Sequence, residues 1–441
     1  REITGGGSDT IVIGQRMRDN GFKNGLVDDF QVFPRQLAPA EIALLAGNDP
    51  VKPDKATFLI TAFENYQARL ETLSSLRRQR SELVKKIPEI MVMEETPEPH
   101  QTYLLDRGHY ENRGDPVSAD TPHFLPPMPD GAPKNRLGLA KWTVSPENPL
   151  TARVTVNRYW QMMFGRGLVA TSEDFGAQGQ LPTHPELLDW LARQFIDSGW
   201  DLQNLLKTIA LSATYRQSSD IASGELTERD PENTLLYRYP APRLPAEAIR
   251  DNALAVSGLL VNKVGGPSVK PYDIAVSFKP SAPDKGEGLY RRSLYTYWKQ
   301  TAPAPMMTTL NASKRDVCRV RLEKTDSPLQ GLVLLNSPQF VEAARILAAT
   351  LVQKHGEENS AIVEEAFRRL TSRKPDPEET TLLNQLLQEQ REHFASQPEA
   401  AAKLISMGDS PPGGGENTPR IAAVTTLVST LMNFDEFITK R

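Results

Sequence analysis

The stretch Asn148-Pro-Leu-Thr-Ala-Arg-Val-Thr-Val-Asn-Arg-Tyr-Trp-Gln-Met-Met-Phe-Gly165 decides the fold class. Asn148 followed by Pro149 reads as an N-cap with proline at the first helical position, where its missing N–H costs nothing. Val156, Tyr159, Trp160 and Met163 then share one face at helical spacing, while Arg153, Asn157 and Gln161 share another. Gly165 and Gly167 end the helix through a left-handed residue. Thr183-His184-Pro185-Glu186 reads as a capping box opening a second helix, with Leu187, Leu188, Leu191 and Phe195 inward and Gly199 as its stop. Asp201 caps a third, with Leu202, Leu205, Leu206 and Ile209 inward. Three short-linked amphipathic helices predict a helical nucleus around Trp160 and Trp190, encircled by the proline-rich segment 109–133.

Outward from this nucleus the pattern stays mainly α with a small β component. Upstream, Thr10–Gly14 and Gly25–Phe33 alternate like strands, and Asp54–Ile87 reads as one long helix with Leu59, Phe63, Tyr66, Leu70 and Leu73 in a 4-3-4-3 stripe. Met91–Leu105 reads as extended. Downstream, helices are expected from Pro245 to Leu260, after Ser327 and Ser337, over Ala361–Leu370 and Pro377–Phe394, and after Thr418. Arg292–Trp298 alternates like a strand, a short extended piece is expected at Met306–Leu310, and Met407–Gly415 reads as a flexible loop. These boundaries divide the chain into residues 1–48, a helical linker at 49–90, and a mainly helical domain at 91–441 with a sub-boundary near 220–240.

Composition narrows the function classes. The 441 residues carry 51 Lys and Arg against 55 Asp and Glu, a formal charge of -4, so nothing global attracts nucleic acid. No run approaches the ~18 apolar residues that span a bilayer. The chain opens at Arg1 without an apolar leader, and is read as a fragment beginning inside a domain. One cysteine, Cys318, excludes an internal disulfide framework and the C-x-x-C-H of haem attachment. Arg315, Arg319 and Arg321 surround it and would favour a thiolate, though a lone buried thiol is the ordinary outcome. There is no G-x-S-x-G, H-E-x-x-H, P-loop or C-x-x-C. Gly165-x-Gly167-x-x-Ala170 follows a helix rather than a strand and is no dinucleotide fingerprint.

The blocks Met91–Glu95, Thr102–Gly108, Asn135–Ala140, Asn148–Val154, Asn157-Arg158, Ser172–Gly176, His184–Trp190 and Ala213–Ser218 together resemble the planctomycete cytochrome-associated proteins, whose C-terminal part is a conserved domain of unknown function. The likeness continues through Arg291–Tyr295, Gln330–Asn336 and Leu431–Phe437. It implies a periplasmic or extracellular setting, polysaccharide handling, and a redox partner. It also implies that residues 1–48 are the tail of a laminin-G or concanavalin-like sandwich, and that haem c belongs to a segment lying outside this chain.

Candidate sites each stand beside a structural alternative. His184, near Glu173 and Asp174, suggests acid–base chemistry at a helix N-terminus, against a simple first-turn residue whose carboxylate neighbours salt-bridge with Arg153 or Arg158. Asn157, Arg158, Trp160 and Gln161 suggest a sugar patch, against a core-facing Trp160. Tyr215 and Arg216 with Arg243 and Arg250 suggest a carboxylate or sulfate site, against ion pairs with Glu247 or Asp251. Tyr295 and Tyr297 suggest an aromatic binding face, against core packing. No metal is assigned to Asp28 and Asp29. A polysaccharide-binding scaffold, a carbohydrate-active enzyme using Asp174 and His184, and adhesion through the 54–87 helix are the three functions this reading leaves open.

Overall fold

Helix-forming runs set off by prolines and glycines dominate the computed structural model, which describes residues 26, 29–33, 37–47, 52, 55–88, 90–96, 100–220, 224–274, 280–321, 325–412 and 417–440. The predicted strand at 10–14 lies outside these residues, as does most of 25–28, and residues 29–33 form no strand. The chain divides into two compact units, Arg1–Ser118 and Ala119–Arg441.

In the first unit, α1 (Pro39–Leu45) begins with the Glu41 carboxylate accepting the Ala38 amide. The single long helix expected over 54–87 is instead two, α2 (Lys55–Thr61) and α3 (Glu64–Val84). Phe63 leaves helical geometry at φ -99, ψ 95 and becomes the N-cap of α3. No residue of α3 is buried, so its apolar stripe makes no core of its own. Of the extended run at 91–105 only β1 (Thr102–Leu105) becomes a strand; it pairs antiparallel with β2 (Arg113–Val117), inside what reads as loop.

The second unit carries both cores. Its α4 (Arg136–Thr143) is capped by Asn135, whose Oδ1 accepts the Leu137 and Gly138 amides, and Trp142 donates its indole N–H to Pro126. The deciding stretch forms α5 (Thr151–Phe164), two residues later than the proline suggests. Asn148 Oδ1 still takes the Leu150 and Thr151 amides, and Gly165 ends the helix at φ 83. Next come α6 (Pro185–Asp197) and α7 (Leu202–Leu211), the latter capped by Asp201 as read. The Thr183 capping box does not form: His184 is the N-cap residue and makes no cap bond, because the Thr183 hydroxyl is turned to Leu168. Val156, Trp160, Leu188, Leu191, Phe195, Leu205 and Ile209 fill this first core, with Trp160 stacked on Phe164 at 4.3 Å. Trp190 does not join it, standing 51% exposed on the outer face of α6. Tyr239 closes the core from below, donating to Met163 at 2.8 Å; burial pushes its hydroxyl pKa up.

After α8 (Gly224–Arg229), α9 (Ala246–Ser257) enters a larger second core. The predicted strand Arg292–Trp298 instead follows α10 (Glu287–Tyr290) and opens with a 3-10 turn at Ser293–Tyr295. Asp251 accepts both the Ser293 amide and its hydroxyl, bending the chain where a strand would run straight. The extended piece expected at 306–310 is likewise a helix, α11 (Pro305–Thr309), opened by its proline. Then follow α12 (Pro328–Asn336), α13 (Pro338–His355), α14 (Asn359–Thr371), α15 (Pro377–Ser396), α16 (Pro398–Ile405), α17 (Thr418–Leu431) and α18 (Asp435–Ile438). α17 is buried over most of its surface, Arg420, Thr425 and Ser429 included, and packs against α13, α15 and α16.

A buried polar clamp holds the α16–α17 connection. Glu342 Oε1 accepts the Asp409 and Ser410 amides and the Tyr290 hydroxyl, while Arg345 reaches the carbonyls of Met407, Ser410 and Pro411. Burial raises the Tyr290 pKa to about 12. Gly408 passes over Glu342 at φ +99, where a Cβ would run into the glutamate side chain.

Candidate functional site

Because α5 buries Val156, Trp160 and Met163, the residues between them, Arg158, Gln161 and Met162, fall on its outer face. A second wall comes from residues distant in sequence. Leu244 donates its amide to Ile438, Lys440 donates to Pro242, each at 2.8 Å, and Arg243 and Thr439 form the bridge between them. This short ribbon sets Arg243 and Lys440 beside α5. Arg319, Val320 and Arg321 supply the third side, and the cleft so enclosed has a volume of about 300 Å³.

Five cations therefore meet at one cleft: Arg158, Arg243, Arg319, Arg321 and Lys440. Two are partly neutralised. Arg243 donates to Asp326 at 2.7 Å with its side chain 12% exposed, and Arg321 stands 3.6 Å from Glu173. Lys440 lies 5.2 Å from the ring centre of Tyr215, a cation–π distance. Arg158 and Arg319 make no ion pair among the described residues and stand exposed. Guanidinium forks left unmatched on an open cleft suit oxyanions that accept two parallel N–H bonds, carboxylate or sulfate.

Of the residues predicted from sequence, the fold brings Arg158 and Arg243 together here, with Glu173 and Tyr215 as neighbours of their cations. It does not bring the others. Arg250 is a structural post rather than an anion ligand: Gln339, Arg291, Ser293 and Leu289 accept its N–H groups, and burial lowers its pKa to about 10. Asn157 is sealed in the core, its amide bonded to both the N–H and C=O of Val169 and to Ser172. That leaves it nothing for a sugar. Arg216 is exposed near the end of the first core.

Asp174 spends its carboxylate on the Gly176 amide at 2.7 Å, and His184 Nδ1 pairs with the Thr183 hydroxyl at 2.9 Å. Each serves its own loop, and no hydrogen bond joins them. The two tyrosines do not share a face. The Tyr295 hydroxyl accepts the Gly265 amide and its ring carries Arg291 at 3.8 Å, whereas Tyr297 faces Lys270 at 5.8 Å. Among the described residues no group of His, Cys, Asp and Glu could hold a metal ion, and no helix is long and apolar enough to cross a membrane. Cys318 is exposed.

Sequence reasoning missed Arg319, Arg321 and Lys440 as site residues. The arginines were visible beside Cys318, where they suggest thiol chemistry; Lys440 carries no local signal. No curated protein and no solved structure matches the chain. A family model described as "Protein of unknown function (DUF1553)", PSD1, matches residues 135–387, which include α5 and most of the cleft. That match spans more than half of the sequence, and the chain belongs to the PSD1 (DUF1553) family.

Proposed function

We propose that this chain is a non-catalytic binding part of an exported protein, and that it holds acidic polysaccharide through the cationic cleft. The observation that carries this reading is the convergence of Arg158, Arg243, Arg319, Arg321 and Lys440 on one surface cleft, three of them without a carboxylate partner among the described residues. In a chain of formal charge -4, that grouping is local and must be paid for by self-repulsion unless an anion joins it. The polymeric nature of the ligand, the exported setting and the link to a cytochrome come from the resemblance drawn above. The absence of any bond between Asp174 and His184 favours binding over acid–base chemistry.

Affinity electrophoresis through dextran sulfate and through uncharged dextran tests it. The native chain should be retarded by the sulfated polymer alone, and the retardation should fade at high salt as exposed charges are screened. The double variant Arg158→Glu, Arg319→Glu should weaken retention at least ~10-fold. Equal retention of native and double-variant chains, or none by the native chain, would defeat the proposal.

A further inference from the structure

In the first unit, α3 presents a face that no described neighbour covers. At about 100° of turn per residue, Leu73, Leu76, Leu83 and Val84 fall within one arc roughly 100° wide, and they are 42% to 65% exposed. Arg80 lies inside that arc and Arg77 at its rim, while the glutamates of α3, Glu64, Glu71 and Glu82, lie on the opposite side. Residues 77–86 carry five cations against the one carboxylate of Glu82, which Lys85 meets at 3.5 Å. Arg77, Arg78, Arg80 and Lys86 make no ion pair among the described residues.

That mixture restricts what can cover the face. A second α3 laid on the same arc brings arginines and no carboxylate, because its glutamates point away. A bilayer interior or a wholly apolar partner would bury Arg80 without a counter-charge. The occupant must carry apolar side chains and carboxylates within a few residues of each other. The chain itself holds such a segment. Ile90, Met91, Val92 and Met93 are each at least 76% exposed, in no helix or strand, and the exposed Glu94 and Glu95 follow them. Consecutive apolar side chains this bare mark an interaction surface. The run comes soon after α3 in the chain, yet it does not fold back to bury any residue of that helix.

We propose that two copies of this chain pair by exchange, the run Ile90–Glu95 of each lying on the Leu73–Val84 face of the other's α3. The apolar residues of the run cover the leucines, and its carboxylates meet Arg77 and Arg80. Each copy gives and receives the same contact, so the assembly closes as a two-fold dimer. This surface is independent of the cationic cleft and of the polysaccharide reading.

Sedimentation equilibrium of the full chain over roughly 1–100 µM tests the proposal. The native chain should pass from monomer to dimer, and added salt should weaken the dimer. One variant carries Glu94→Arg with Glu95→Arg, the other Arg77→Glu with Arg80→Glu. All four positions are exposed, and circular dichroism should show both variants folded. Each alone should lose self-association at least ~10-fold, since like charges then face each other. Mixed in equal amounts, the two variants should dimerise again, because every run now meets an α3 of opposite charge. Arg158→Glu should leave the dimer unchanged. A dimer indifferent to both reversals, or folded variants that fail to associate when mixed, overturns the proposal. So does a native chain that stays monomeric, and its sedimentation with phosphatidylglycerol vesicles would then give the face to a bilayer.

Discussion

Asn157 shows how a polar residue on the right helical face can mislead. Its spacing with Arg153 and Gln161 suggests an outward ligand-binding row, yet it lies 1% exposed and clasps Val169 as a neighbouring strand would. Periodicity reports which residues share a face, not which of two faces a returning loop will cover. Asn157→Ala should therefore cost about 2–4 kcal/mol in urea denaturation, since it strands the Val169 N–H in the core and leaves the Val169 carbonyl only the Ser172 hydroxyl at 3.4 Å. Gly408 is a second such point. Gly408→Ala meets both a left-handed φ and the Glu342 side chain, and should cost about 2–4 kcal/mol by the same measurement. Neither constraint is written in the local sequence, because one depends on the loop that returns Val169 and the other on Glu342, far back along the chain.

Among the elements, those with caps and amphipathic faces were legible: α5, α6, α7 and α12 to α15 stand close to where their punctuation places them. Failures cluster where alternation was read as strand. Among the described residues Arg292–Trp298 meets Val269 in an isolated bridge at Thr296 rather than a ladder, and hydrogen bonds from Ser293 to Asp251 coil the chain just before it. The 54–87 stripe was read through Phe63, where the backbone breaks. The α13–α14 junction supplies a testable feature of its own. Glu365 on α14 receives Lys354 at 2.7 Å, Arg369 at 2.6 Å and His355; against a desolvation that would raise it, these bonds hold its pKa at about 2. The folded carboxyl thus releases its proton more readily than an unfolded one at 4.5. Its stabilisation is present above that pH and fades as pH falls toward 2. Melting temperature followed from pH 6 to about 2 should drop less steeply in Glu365→Gln, which should also melt lower at neutral pH.

At the scale of the whole molecule, the second unit owns two complete apolar cores. Residues 119–441 expressed alone should keep their helical circular dichroism and unfold cooperatively on heating; a broad, non-cooperative melt would show that the division is wrong. Mainly helical architecture was readable from punctuation, whereas the cationic cleft was only half readable. Arg158 and Arg243 stand out in the sequence, whereas Arg319, Arg321 and Lys440 enter through tertiary return of the chain.

The ribbon that joins Pro242–Leu244 to Ile438–Lys440 has a consequence for biosynthesis. One jamb of that doorway is translated long before the other, and everything between must be threaded and packed before they can zip together. Until then the wall at Pro242–Leu244 lacks the strand that braces it and the lysine it carries, so an immature chain should hold anionic polymer more weakly. Shortening the chain by its last few residues should disarm the cleft while leaving α5, α6 and α7 folded.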